Sequence, residues 1–137
     1  MPGIAHITPT ILIIDSDPAI CNSLKFSLRV EGYTVRDYSS ALELLAEPAL
    51  PTDGCLVIDF HLPGLDGLQL LGALRQRTVT MPAILLATDP SGHLRVRAAK
   101  AGVPIIEKPL LTEALFQCIR ATLADARTCR GTFDQDQ

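Results

Sequence analysis

Five short strand candidates punctuate the chain, at 11–14, 34–38, 55–59, 83–87 and 103–106, all but 34–38 dominated by apolar residues. The first, third and fourth are apolar almost throughout. This is the pattern of strands covered on both faces in a parallel sheet. Between the runs, apolar residues recur every three or four positions, which predicts helices. The first helix opens at Pro18 with Asp17 as its N-cap, carries Ile20, Leu24 and Leu28 on one face, and ends at Gly32. Ser40 and Glu43 form a capping-box pattern for a short second helix that Pro48 stops. Asp66 and Gly67 precede a third helix that runs through Leu68, Leu71 and Leu74 to Arg77. Ser91 starts a fourth, closed by Gly102. Thr112 caps a fifth, with Leu115, Ile119 and Leu123 on one face. Alternating strands and helices of this kind predict a doubly wound α/β sandwich: a five-stranded parallel sheet with helices on both faces.

Composition narrows the picture without changing it. The chain has 137 residues, 47% apolar and 20% charged, enough for one globular domain with a core. Only 4% are aromatic, so the core is aliphatic and base-stacking platforms are not expected. A net charge of −3 gives no footprint for direct nucleic-acid binding. Cys21, Cys55, Cys118 and Cys129 are scattered with no C-x-x-C pair, which argues against zinc and for reduced thiols in the cytoplasm. No basic stretch leads into an apolar one at the start, so no secretory signal is expected. The longest apolar runs fall far short of the ~20 residues that span a bilayer. The expected organisation is a tail at 1–9, one domain at 10–126 and a second tail at 127–137.

Candidate chemistry collects where the strands end. "ILIIDSDPAI" (11–20) puts Asp15, Ser16 and Asp17 at the end of the first strand. Asp15 and Asp17 fit a D-x-D phosphatase pair, or two members of an acidic metal pocket, or one site acid followed by a helix cap. The third strand ends at Asp59, the fourth at Ala87-Thr88, and the fifth leads into Lys108. Parallel topology brings these four ends to one edge of the sheet, where ligands of such folds bind. Two neighbouring carboxylates repel and recruit a divalent cation. With a backbone carbonyl and waters they suit Mg²⁺. A metal and a lysine together neutralise a phosphoryl group.

"VIDFHLPGLDG" (57–67), "IIEKP" (105–109) and "IDSDPAI" (14–20), in this order and spacing, resemble the receiver domains of two-component response regulators, over about residues 10–125. The nearest flavour is that of nitrogen-fixation-type transcriptional regulators. The resemblance implies that Asp59 is the phosphoacceptor. Lys108 would pair with its carboxylate and later with the phosphoryl oxygens, and Pro109 would follow a cis peptide. Asp15, Asp59 and the backbone carbonyl of His61 would hold Mg²⁺. It further implies a sensor histidine kinase or phosphotransfer protein as donor. An output partner would bind the face of the fourth helix, fifth strand and fifth helix, which also serves homodimers.

Three positions depart from the family pattern. Ser16 stands where a second acid normally ligates the metal, so Mg²⁺ binding is expected to be weakened. Ala87 stands in the slot of the switch hydroxyl. Thr88 follows it, and its backbone N–H remains the candidate contact to the phosphoryl group. Ile105 replaces the usual aromatic ring. Two outcomes stay open: a phosphorylated receiver with an altered switch, or a pseudo-receiver that binds partners regardless of phosphorylation. The phosphatase reading lacks support, because after Lys108 only Glu113, Asp125, Asp134 and Asp136 remain, on a helix or in the tail. The basic residues Arg95, Arg97 and Lys100 along the fourth helix read as a solvated face.

Overall fold

The structure is a computed structural model that describes residues 8–109 and 112–135, with side chains over 8–109 and 113–125. Strand β1 (Thr10–Ile14) leads into helix α1 (Pro18–Val30), then β2 (Thr34–Tyr38), α2 (Ala41–Leu45), β3 (Gly54–Asp59), α3 (Gly67–Gln76), β4 (Ala83–Ala87), α4 (Gly92–Ala101), β5 (Ile105–Glu107) and α5 (Thr112–Gln135). The five strands form one sheet in the order β2-β1-β3-β4-β5, and every neighbouring pair is parallel. The expected doubly wound α/β fold is the observed one.

Side-chain alternation divides the core into two layers. Leu56 and Ile58 of β3 join Leu12 and Ile14 of β1 under α2, α3 and α4. Cys55 and Val57 join Ile11 and Ile13 under α1 and α5. On α1, Cys21, Leu24 and Leu28 are buried. Burying a leucine side chain stabilises by roughly 1.5–3 kcal/mol. The Asp17 carboxylate accepts from the Ala19 N–H at 2.9 Å, and such a cap adds about 1 kcal/mol. Asp66 caps α3 in a reciprocal box with Gln69, and Ser40 and Ser91 cap α2 and α4.

Two boundaries differ from the sequence pattern. The fifth strand runs at Ile105–Glu107 rather than at 103–106. Gly102 turns left-handed at the end of α4, and the Val103 N–H still bonds to Ala98 O, so Val103 belongs to the helix cap. Helix α5 continues through 127–135, which the sequence reads as a tail. The apolar pattern marks where burial stops, and a helix can run past that point. Thr112 is the first residue of α5, so the capping position falls at residue 111, outside the described residues. Residues 1–7 of the expected N-terminal tail are outside them too. Among the described residues, no helix is long and apolar enough to cross a membrane.

Candidate functional site at the carboxyl edge of the sheet

The strand order reverses between β1 and β3, the switch point at which the crevice of a doubly wound sheet opens. Ile14 pairs with Ile58, so the next residues, Asp15 and Asp59, stand side by side at that crevice. Asp15 is 1% exposed and Asp59 6%. Both carboxylates meet one cation. Lys108 Nζ donates to Asp15 Oδ2 at 2.9 Å and lies 3.4 Å from Asp59 Oδ2. The Lys108 N–H is held on Ala87 O at 2.8 Å, which fixes the lysine against the end of β4. The Lys108–Pro109 peptide is cis, as the resemblance implied.

The two acids are positioned differently. Asp15 spends Oδ1 on the N–H of Asp17 at 2.9 Å and Oδ2 on Lys108. Its backbone oxygen accepts from the Cys21 thiol at 3.2 Å. Burial, with the charge of Asp15 next, pushes that thiol up to about 11. Asp59 is more open. The His61 N–H reaches Asp59 Oδ1 only at 3.4 Å. Burial first, and the charge of Asp15 second, raise the Asp59 carboxyl above the ordinary range, against the pull of Lys108. For Lys108, burial acts downward, but the hydrogen bond to Asp15 and the two carboxylate charges outweigh it and raise the ammonium.

The Leu-Asp-Gly turn after Asp59 has a steric reason. The Gly67 N–H bonds to Phe60 O at 2.9 Å, which folds the start of α3 back onto the site. A Cβ on Gly67 would lie 2.7 Å from Asp59 O and 2.9 Å from Leu85 Cδ1. Glycine is therefore what lets α3 approach the strand that carries Asp59.

The three unusual positions take different places. Ser16 is exposed beside the pocket and supplies no charge. Ala87 is fully buried in the layer under α3 and α4, and Thr88 lies beyond the end of β4 with its side chain exposed. Ile105 packs against the same layer with an aliphatic side chain. The structure thus brings Asp15, Asp59 and Lys108 together and leaves the Thr88 side chain outside that cluster. His61 is exposed, and its ring packs edge-on against Phe60 with centroids 5.1 Å apart. Among the described residues, no group of three or more His, Cys, Asp or Glu side chains gathers as a metal cage.

Arg97 corrects the reading of α4 as a merely solvated face. It lies over the Phe60 ring, 5.8 Å from its centroid, and pairs with Asp66 at 3.4 Å. Arg95 pairs with Glu107 at 2.7 Å. The helical spacing gave the side of α4 on which Arg97 sits, but not that Phe60 and Asp66 come to it from two other segments.

Comparison with known proteins agrees with this geometry. A family model described as the response regulator receiver domain matches residues 11–120. The transcriptional regulatory protein FixJ of Azorhizobium caulinodans is 36% identical over 113 residues, covering 81% of this chain and 53% of FixJ. The C4-dicarboxylate transport transcriptional regulatory protein DctD of Pseudomonas aeruginosa is 31% identical over 114 residues, covering 82% and 25%. The chain thus spans about half, or less, of the length of these relatives. Among solved structures, a CheY-like receiver domain protein from Methanospirillum hungatei JF-1 superposes with a TM-score of 0.80 at 30% identity, covering 88% of this chain and 98% of that one. FixJ-N gives 0.75 at 30% identity, covering 85% and 94%. Fold, strand-end chemistry and these likenesses converge: the chain belongs to the response regulator receiver domain family.

Proposed function

We propose that this receiver accepts a phosphoryl group on Asp59 from a sensor histidine kinase or a phosphotransfer protein in the cytoplasm. The receiver unit is taken as 10–126, with 1–9 and 127–137 outside it. The observation that carries the reading is the lysine held between two buried carboxylates at the switch point of the sheet. An Asp59 oxygen forms a bond to phosphorus as the P–N bond of a phosphohistidine breaks. The imidazole nitrogen keeps the electron pair and takes up a proton. Lys108 neutralises the phosphoryl oxygens as charge builds on them, and the Thr88 backbone N–H is a further candidate donor.

The oxygen donors fit a hard cation: the carboxylates of Asp15 and Asp59 with the His61 carbonyl would hold Mg²⁺. When bound, it would supply positive charge to the phosphoryl group. The fit is weaker than a three-acid pocket would give, because Ser16 is neutral and Asp15 Oδ2 is already on Lys108. Output would pass to a partner protein, or to a second copy in a homodimer, through the face of α4, β5 and α5. Neither direct nucleic-acid binding nor a membrane is part of this reading.

A second reading is supported by Ala87, whose buried methyl leaves no switch hydroxyl, and by Ile105 in the ring position. Here the domain is a pseudo-receiver whose partner binding ignores phosphorylation. Intact-mass spectrometry with Mg²⁺ and an excess of a small acyl phosphate separates the two. Gain of one acid-labile phosphoryl group in the wild type, absent in Asp59→Asn, supports the first. No gain in folded protein sinks it, and the second then requires that Asp59→Asn leave partner affinity unchanged.

A further inference from the structure

Between α3 and α4, on the face away from α1 and α5, lies an open groove of about 440 Å³. Its floor is apolar, from Leu68 and Leu71 of α3 and Ala101 of α4. Arg75, Arg97 and Lys100 form its rim, and no acid lines it. Gly72 widens it, since a Cβ there would meet nothing within 4 Å. The cations are poorly matched by acids. Arg97 has Asp66, but among the described residues neither Arg75 nor Lys100 has a carboxylate partner. Arg75 is fixed in place instead, its guanidinium donating to Val79 O at 2.8 Å and Met81 O at 2.7 Å. A chain of net charge −3 therefore places three cations along one apolar groove, two of them without a carboxylate partner among the described residues.

From this charge pattern we infer that the α3–α4 groove docks an acidic amphipathic helix of a partner protein. Two neighbouring helices leave a trough that accepts a third, and the small residues Gly72 and Ala101 permit close approach. Leucines of the incoming helix at i, i+3/i+4 and i+7 would cover Leu68 and Leu71. Flanking Glu side chains would meet Lys100 and Arg75, giving orientation and a salt-dependent association rate. This surface shares α4 with the α4–β5–α5 face but lies on the α3 side of that helix, and it does not depend on phosphorylation of Asp59.

The test uses the full chain, unphosphorylated, and a synthetic Leu/Glu amphipathic peptide of roughly 18 residues, long enough to hold helix. A matched Leu/Lys peptide is the control. The acidic peptide is expected to shift the amide resonances of Leu68, Gly72, Lys100 and Ala101. Its affinity should fall about tenfold in Lys100→Glu and in Gly72→Leu, a change of ~1.4 kcal/mol. Both sites are exposed, so both variants should stay folded: Gly72→Leu replaces a glycine inside α3 and should hold or raise the melting temperature, and Lys100→Glu, in the last turn of α4, should lower it only slightly. The proposal is overturned if no groove amide shifts, if the cationic peptide binds as well, or if the shifts fall on β5 and α5 and leave Leu68 and Gly72 of α3 unmoved. It is also overturned if the peptide-free protein self-associates through the groove and Gly72→Leu abolishes this, since the occupant would then be a second copy.

Discussion

Replacing Lys108 by methionine keeps most of the side-chain volume and removes the cation that sits between two buried acids. At an effective dielectric constant near 20, contacts of 2.9 and 3.4 Å to Asp15 and Asp59 correspond to about 6 and about 5 kcal/mol of Coulomb attraction. Desolvating the ions offsets several kcal/mol of that, and breaking a buried pair from one side costs about 3–5 kcal/mol. The Lys108 side chain remains 16% exposed, so water can partly replace it and the low end applies. The expected loss is about 3 kcal/mol in urea unfolding at pH 7.5, or roughly 10 °C in Tm.

The pH dependence follows from the two shifts. Asp59 is raised, so the folded state holds its proton more readily than the unfolded chain, and stability falls as pH rises through that window. Lys108 offsets this cost, and without it the cost is felt in full. Lys108 itself is raised, so its contribution is fully present below its ordinary value of 10.5 and is lost as pH rises through the folded value. The gap between wild type and Lys108→Met should therefore be widest near neutrality. It should narrow as pH falls through the raised Asp59 range, and again at strongly alkaline pH as Lys108 loses its proton. Adding Asp59→Asn should recover part of the loss. A variant within about 0.5 kcal/mol of wild type at pH 7.5 would refute the reasoning, as would a gap that is the same at pH 4.

Two further substitutions probe the same edge of the sheet. Ser16→Asp restores a second acid beside Asp15 and Asp59 and should tighten Mg²⁺ binding at least about tenfold by calorimetry, a change of ~1.4 kcal/mol; unchanged affinity would mean that Lys108, rather than the missing charge, limits the site. Gly67→Ala forces a methyl toward Asp59 O and Leu85 and should cost about 1–3 kcal/mol by chemical denaturation. A neutral outcome would show that the start of α3 can retreat from β3 without consequence.

The order of strands and helices, the caps at Asp17, Ser40, Asp66 and Ser91, and the acids at two strand ends are all written locally. Each depends on residues within a turn or two of itself, so the pattern of apolar spacing and capping side chains reveals it. Asp17 is the clearest case. As the second acid of a D-x-D motif it had three readings, and its bond to the Ala19 N–H makes it the cap of α1, with Asp15 left to face Lys108. What remained hidden depends on distance across the fold. The sequence placed Lys108 after a strand, but not its closer approach to Asp15 than to Asp59, although β3 lies nearer β5 in the sheet than β1 does. It gave Arg97 a helix face, but not Phe60 and Asp66 as neighbours, because those come from a loop and a cap beside a different strand. It showed a glycine at the start of α3, but not that the backbone of Asp59 fills the space its side chain would need. Local rules fix which residue is polar, apolar or a cap. Which charges finally share one low-dielectric pocket is decided only when the strands line up, because burial and separation, the quantities that set their energy, do not exist before the sheet forms.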